Sequence, residues 1–227
     1  MKVAVLFSGG KDSCFAVWYA LHQGWDVAAL ITVFSENPDS FMFHTPNVAW
    51  TRLQAEAMSL PQFEIATGGV KGKELGDLRN GIADVLKRQD FTALLSGAIL
   101  SEYQKTRIDH ICEDLQLRSF APFWHKDPLM LLEEEVALGF EFVLSSCAAA
   151  GLGREWLGKR IDSRSVEELT RLAARFNVNP AFEGGEAETF VTDAPIFRKR
   201  VMILEAEERW RLDAGRFLIK RAVLAGK

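Results

Sequence analysis

Ser8-Gly9-Gly10-Lys11-Asp12-Ser13 collects, in six consecutive positions, the groups that hold an oxyanion. Two adjacent glycines let the backbone turn tightly and bring its N–H groups up to a charged oxygen. Ser8 and Ser13 supply hydroxyl donors, and Lys11 supplies a mobile positive charge. The apolar run Val3 to Phe7 reads as a strand and a helix begins near Asp12, so the six residues stand where a helix N-terminus aims unpaired amides and the positive end of its dipole. Two glycines alone would make an ordinary strand-to-helix turn; six fitting positions in this context make a phosphate site. The spacing is not G-x-x-x-x-G-K-[ST], which excludes the loop that cradles β- and γ-phosphates for γ-transfer.

Strand-like and helix-like segments alternate through the first half, the pattern of parallel-sheet βαβ units. Helices are predicted over Ser13 to Gln23, from Thr45-Pro46 to about Ser59, over Lys73 to Lys87 and over Ser101 to Leu115. Between them lie strands near Val27 to Phe34, at Ile65-Ala66, at Ala93 to Leu95 and at Arg118 to Ala121. Thr45 can cap its helix and Pro46 suits the first turn. In the second half, helices are predicted over Pro128 to Leu138 and Ser165 to Phe176, the latter with Ser165 and Glu168 in capping-box spacing, and a strand over Phe140 to Ser145. After Gly184-Gly185, two antiparallel strands, Lys199 to Trp210 and Arg216 to Val223, are joined by Leu212 to Gly215. The change of character near Trp124 to Pro128 divides the chain into residues 1–125 and 126–227.

With 227 residues and 48% hydrophobic side chains the chain can bury a large core. No apolar run reaches the roughly 18 residues that span a bilayer, and no signal-peptide layout precedes the first strand. A cytoplasmic protein with no membrane association is expected. Cys14, Cys112 and Cys147 are too dispersed for a zinc site or a disulfide framework. A net charge of −4 argues against a broad nucleic-acid footprint, and Arg198-Lys199-Arg200 reads as a solvated strand end or turn.

The first loop resembles the S-G-G-x-D-S pyrophosphate loop of enzymes that cut ATP between its α- and β-phosphates. Further segments narrow the resemblance. Glu36-Asn37-Pro38-Asp39-Ser40, Phe43-His44-Thr45-Pro46-Asn47, Ser96-Gly97-Ala98-Ile99, Tyr103-Gln104 with Arg107, Ala121-Pro122 with Trp124, and Trp156-Leu157-Gly158 are similar to the diphthine–ammonia ligase family. So is Glu183-Gly184-Gly185-Glu186 with Glu188-Thr189 and Asp193-Ala194-Pro195, the most specific of these segments. The similarity runs over nearly the whole chain, and its short form resembles archaeal members. Two positions depart from the family pattern: Ala187 stands where an aromatic is usual, and Gly153 where an acid is frequent.

The resemblance implies an α/β fold: a doubly wound parallel five-stranded sheet of the adenine-nucleotide α-hydrolase type, a smaller C-terminal α+β domain, and a site in the cleft between them. It implies amidation of diphthine on translation elongation factor 2 by free ammonia, with ATP and Mg²⁺, through an acyl-adenylate that yields diphthamide, AMP and pyrophosphate. Lys11, Ser8, Ser13 and the Gly9 and Gly10 amides would take the leaving pyrophosphate. Asp12 would hold Mg²⁺ or stabilise the first helical turn. Adenine would lie beside Thr32, Val33 and Phe34. Gly97 would permit close approach to the nucleotide or serve as a tight turn, and Arg107 would steady a phosphate or the substrate carboxylate or lie on the helix surface. Glu186 and Glu188 would bind ammonium and accept its proton, or hold the turn; Glu183 belongs to the same segment. Tyr103, Trp124 and Trp156 are either a cage for the trimethylammonium of diphthine or core aromatics. His44 would contact substrate or support the helix cap. Two rival readings keep the same loop: ligation or thiolation of another acceptor, a tRNA or a small-molecule carboxylate, and nucleotide binding without catalysis. The sequence leaves a homodimer open.

Overall fold

A computed structural model describes residues 1–37, 47–70 and 72–227. His44, Thr45 and Pro46, and the roles read for them, lie outside the described residues. The first half folds as strands β1 (Lys2–Leu6), β2 (Asp26–Ser35), β3 (Gln62–Thr67), β4 (Ala93–Leu95) and β5 (Arg118–Phe120). All are paired in parallel, in the order β3-β2-β1-β4-β5. Helices α1 (Lys11–His22), α2 (Thr51–Met58), α3 (Glu74–Leu86) and α4 (Glu102–Asp114) connect them, with a 3-10 turn over Val48–Trp50 leading into α2.

The alternation of side chains along each strand sorts the helices onto two faces. Val3, Val5, Leu30 and Leu95 pack with α1 and α2 on one side, whereas Ala4, Ala29, Ile31 and Leu94 meet Leu78, Ile82, Ile108 and Ile111 of α3 and α4 on the other. Each large apolar side chain so buried contributes about 1.5–3 kcal/mol. Central β1 is flanked by β2 on one side and β4 on the other, and the chain winds away in opposite directions from there. That switch point opens a crevice at the carboxyl ends of the strands, where the Ser8–Ser13 loop emerges.

The second half carries α5 (Pro128–Ala137), β6 (Glu141–Cys147), α6 (Ser163–Phe176), β7 (Ala187–Asp193), β8 (Arg200–Arg211) and β9 (Ala214–Ala225). Its four strands form an antiparallel sheet in the order β7-β6-β9-β8. β7 is absent from the sequence reading. The β8–β9 hairpin turns more tightly than expected, since Ala214 and Gly215 already pair with Arg211 and Trp210.

The cap of α6 also differs from the expected one. Asp162 accepts the Ser165 amide at 2.8 Å and the Ser165 hydroxyl at 2.8 Å, so the helix starts two residues earlier than expected. Glu168 pairs with Lys159 at 2.5 Å and has no part in the cap.

One apolar cluster runs from β1 and α1 through Phe123 and Phe140 into β6, β7 and β9. Phe15 of α1 stacks on Phe123 at 4.6 Å and meets the edge of Phe140 at 5.6 Å. The two sheets share this cluster, and the helix that follows the phosphate loop is packed into it.

Candidate active site

The loop after β1 is held in shape by its own hydroxyls. Ser13 Oγ donates to the Gly10 carbonyl at 2.9 Å and accepts the Gly9 amide at 3.1 Å; Ser8 Oγ accepts the Gly10 amide at 3.4 Å. Gly9 has φ +81°, a conformation that L side chains rarely adopt, and a Cβ there would lie 2.3 Å from Gln54 Oε1. The loop is also tied to β7 of the other sheet. The Val191 amide donates to the Gly9 carbonyl at 3.0 Å, and the Lys11 amide donates to Thr189 Oγ1 at 3.0 Å. Fully buried Gln54 of α2 donates to the carbonyls of Gly9 (2.9 Å) and Val191 (2.7 Å).

This loop is one wall of a cavity of about 530 Å³. Ser8, Gly10, Asp12 and Ser13 line it, opposite Ser96, Gly97, Ala98 and Ser101 from the turn after β4. Leu6, Ile31, Val33, Val48 and Ile108 make an apolar part, while Glu183, Gly184, Gly185, Glu188 and Thr189 form the wall supplied by the second half. Ser96 Oγ is buried and has no hydrogen-bond partner among the described residues. A buried hydroxyl in that condition is poised for a polar ligand.

The two βα turns touch through glycine. A Cβ on Gly97 would fall 2.7 Å from the carbonyl carbon and oxygen of Asp12, so only hydrogen lets the turn lie against the loop. Glu183 closes the other side, its Oε2 accepting the amides of Leu100 (3.0 Å) and Ile99 (3.3 Å). Three carboxylates face the cavity: Asp12, Glu183 and Glu188. Burial, reinforced by the charge of Asp12, raises the Glu183 carboxyl above its ordinary range. Burial, then Asp12 and Glu183, push Glu188 up to about 7. The Gly9 and Gly10 amides, expected to meet phosphate, donate instead to Ser13 and Ser8; the hydroxyls, the N-terminus of α1 and the mutually repelling carboxylates can bind a polyphosphate with a cation, and can take up a proton near neutral pH.

Lys11 does not reach the cavity wall. Its side chain is 1% exposed and turns beneath the loop, where the ammonium meets Asp12 Oδ1 at 2.5 Å and Glu135 Oε2 at 3.5 Å. Burial lowers its proton affinity, and the two carboxylates more than reverse that, so it stays charged.

Comparison with known proteins places this geometry. The family model described as the diphthamide synthase N-terminal domain matches residues 1–119, and that of the diphthamide synthase C-terminal domain matches residues 127–225. The chain belongs to the diphthamide synthase family. It is 37% identical to the diphthine–ammonia ligase of Schizosaccharomyces pombe over 223 residues, covering 91% of this chain and 37% of that protein. With the diphthine–ammonia ligase of Bos taurus it shares 33% identity over 226 residues, covering 91% of this chain and 84% of that one. A solved structure titled as a predicted subunit of tRNA methyltransferase from Methanocaldococcus jannaschii covers 86% of this chain and 98% of its own at 16% identity and a TM-score of 0.45, a likeness too slight to weigh.

In this family member, the residues singled out from sequence are distributed unevenly. Ser8, Gly10, Asp12, Ser13, Val33, Gly97, Tyr103, Glu183 and Glu188 meet at the cavity. Thr32 and Phe34 do not line it, because side chains alternate along β2. Thr32 is fully buried, donates to the Phe7 carbonyl at 2.8 Å and accepts from Gln62 at 2.7 Å. Glu186 also lies off the wall, where its carboxylate accepts the amides of Gly184 (2.8 Å) and Asn179 (3.1 Å) and so shapes the turn. Arg107 stacks on Tyr103, its guanidinium carbon 3.4 Å from the ring centroid, and donates to the Tyr103 carbonyl at 3.0 Å. Tyr103, Trp124 and Trp156 are not brought together. Trp156 is 4% exposed within the core, with Lys159 over its ring at 3.8 Å, and Trp124 packs edge-on against His125.

Sequence reasoning placed Ser96 and Thr189 in matching segments without giving either a role of its own, and it missed Gln54 and Glu135. Glu135 shares the inward face of α5 with Leu131 and Leu132, four and three positions earlier, and a carboxylate on an apolar stripe was a readable signal. Gln54 carried no such mark, since nothing local distinguishes a glutamine that caps two distant carbonyls.

Proposed function

We propose that the chain is a diphthine–ammonia ligase, which uses ATP and ammonia to convert diphthine on translation elongation factor 2 into diphthamide. The observation that carries this reading is the self-bonded Ser8–Ser13 loop, with Asp12 in it, sharing one cavity with the Glu183 and Glu188 carboxylates. A loop that presents two serine hydroxyls at the N-terminus of α1 suits a departing pyrophosphate, and the carboxylates on the cavity wall suit a cation and a nitrogen nucleophile.

ATP fits the groups available. Ile31, Val33 and Ile108 offer an apolar slot for adenine, and the orphaned Ser96 hydroxyl offers a polar contact beside it. Gly10, Ser8 and Ser13 hold the β- and γ-phosphates. Among the described residues no group of three His, Cys, Asp or Glu is arranged to hold a metal ion; Asp12, on the cavity wall, would hold Mg²⁺, which would neutralise charge on the phosphates.

In the first step a carboxylate oxygen of diphthine bonds to the α-phosphorus and the bond to the β-phosphate oxygen breaks, releasing pyrophosphate onto the loop. In the second, ammonia bonds to the activated carbonyl carbon and AMP leaves with the electron pair of the carbon–oxygen bond. Ammonium must first lose a proton, and Glu188, held near 7 by burial and by its acidic neighbours, is the acceptor. Glu183 keeps the 96–101 turn and the 183–189 segment closed over the site through its two amide contacts. We assign residues 1–125 to nucleotide binding and 126–227 to completing the acceptor side.

The test is a reconstituted ligation with diphthine-bearing elongation factor 2, ATP and ammonium. The expected result is AMP and pyrophosphate in equal amounts, with amide formed only when both acceptor and ammonium are present. ADP as product, or equal turnover without the factor, would refute the proposal.

A further inference from the structure

Glu135 is fully buried, and among the described residues neither of its carboxylate oxygens has a hydrogen-bond partner. An unsolvated carboxylate is among the costliest groups to bury; a whole buried ion pair can commonly be replaced by apolar side chains without loss of stability, whereas removing one partner leaves the other charge less compensated. Packing alone does not call for a carboxylate at this place on α5, where an alkyl side chain would complete the Leu131 and Leu132 stripe. Among the described residues the Glu135 carboxylate has a partner of opposite sign in Lys11. Lys11 Nζ lies 3.5 Å from Glu135 Oε2 and 2.5 Å from Asp12 Oδ1, itself on the cavity wall.

We propose that Glu135 is a positioning residue of the nucleotide site: it draws the Lys11 ammonium beneath the loop, and Lys11 in turn fixes the carboxylate of Asp12 against the phosphates. This inference rests on the nucleotide-binding part of the function proposed above and is independent of the acceptor. Lys11 sits at the first position of α1, and its long side chain has many rotamers. Tethering the ammonium at both ends removes that freedom, so Asp12 presents one orientation to an incoming polyphosphate. Partners of this kind, one layer behind a binding group, change affinity or rate by about 10- to 100-fold when lost.

Replacing Glu135 by Met and by Gln separates positioning from packing. Met fills the volume without a charge, whereas the Gln carbonyl can still accept from Lys11. Binding of an ATP analogue that resists α–β cleavage is measured by calorimetry, beside the melting temperature and kcat for AMP release. Measured on the folded fraction, Glu135→Met is expected to bind the analogue at least 10-fold more weakly, while Glu135→Gln stays within about 3-fold. In a Lys11→Met background, Glu135→Met is expected to add no further loss, because its effect passes through Lys11. Binding unchanged in Glu135→Met, losses that add in the double variant, or a fall in melting temperature shared by Met and Gln would each overturn the proposal. Failure of amide formation with intact analogue coupling would instead count against the acceptor assignment alone.

Discussion

Replacing Gly97 by Ala adds one methyl group at the place where the turn after β4 rests on the phosphate loop. The new carbon would lie 2.7 Å from the carbonyl carbon and oxygen of Asp12 and 3.0 Å from its Cβ, where ordinary contact begins at 3.4 Å, so the turn must retreat by roughly 0.7 Å. The obstacle is backbone at the start of a helix buried in the main core, so it cannot swing aside as a side chain would. Overpacking of this kind costs about 1–3 kcal/mol, a fall of about 2–10 °C in melting temperature for a chain of this size. Function suffers more, because a displacement approaching 1 Å at a reacting centre can cost about 100-fold in rate. Gly76 in α3 is the control: nothing lies within 4 Å of a Cβ there, so Ala is expected to stabilise by up to about 1 kcal/mol with no change in rate. The assay is ATP-dependent AMP release, read as kcat/KM beside a thermal melt. Gly97→Ala with parental kcat/KM would refute the idea that contact between the two turns shapes the site.

Gln54→Ala leaves the buried carbonyls of Gly9 and Val191 without their shared donor; a loss of about 2–3 kcal/mol is expected, with a raised KM for ATP, checked by denaturant titration and kinetics. Trp156→Ala should cost about 3–5 kcal/mol as a core truncation while KM for ATP in the folded fraction stays constant, measured by unfolding and by active-site titration. Glu188 is raised to about 7, so the fold prefers its protonated form. Its contribution to stability is full below the ordinary value near 4.5 and is lost as pH climbs toward 7. Glu188→Gln should therefore exceed the parent in stability at pH 8, by about 1–2 kcal/mol given solvent screening at a half-buried site, and the advantage should vanish near pH 5. The same variant should lose ammonium-dependent amide formation, as read by amide yield at saturating ATP.

Most of the first sheet was legible because each strand is a short apolar run closed by a helix signal, and its parallel order follows from the alternation. β7 was not. Ala187 to Asp193 is brief and follows the Gly184-Gly185 turn, and its role arises from pairing with Val143 and Phe142 of β6, forty-odd positions away. The phosphate loop announced itself in six residues, yet where Lys11 points depends on a carboxylate 124 positions later on α5. Along β2 the correct strand end was visible while the parity of its side chains was not: Val33 faces the cavity, and Thr32 and Phe34 do not. For Glu186 and Trp156 residue type suggested chemistry, but the amides of Gly184 and Asn179 and the enclosing core decide what those groups meet. Long-range partners of this sort leave no local trace in a single sequence.

The bonds from Val191 and Lys11 that stitch the loop after β1 to β7 join segments matched by two separate domain models. A protein that had inherited only the unit corresponding to residues 1–119 would keep the glycine-rich signature and lose the strand that anchors it, together with Glu183 and Glu188. Shuffling the two units apart would leave neither with a working centre, so they are expected to travel together through evolution, with any added modules joined outside the pair.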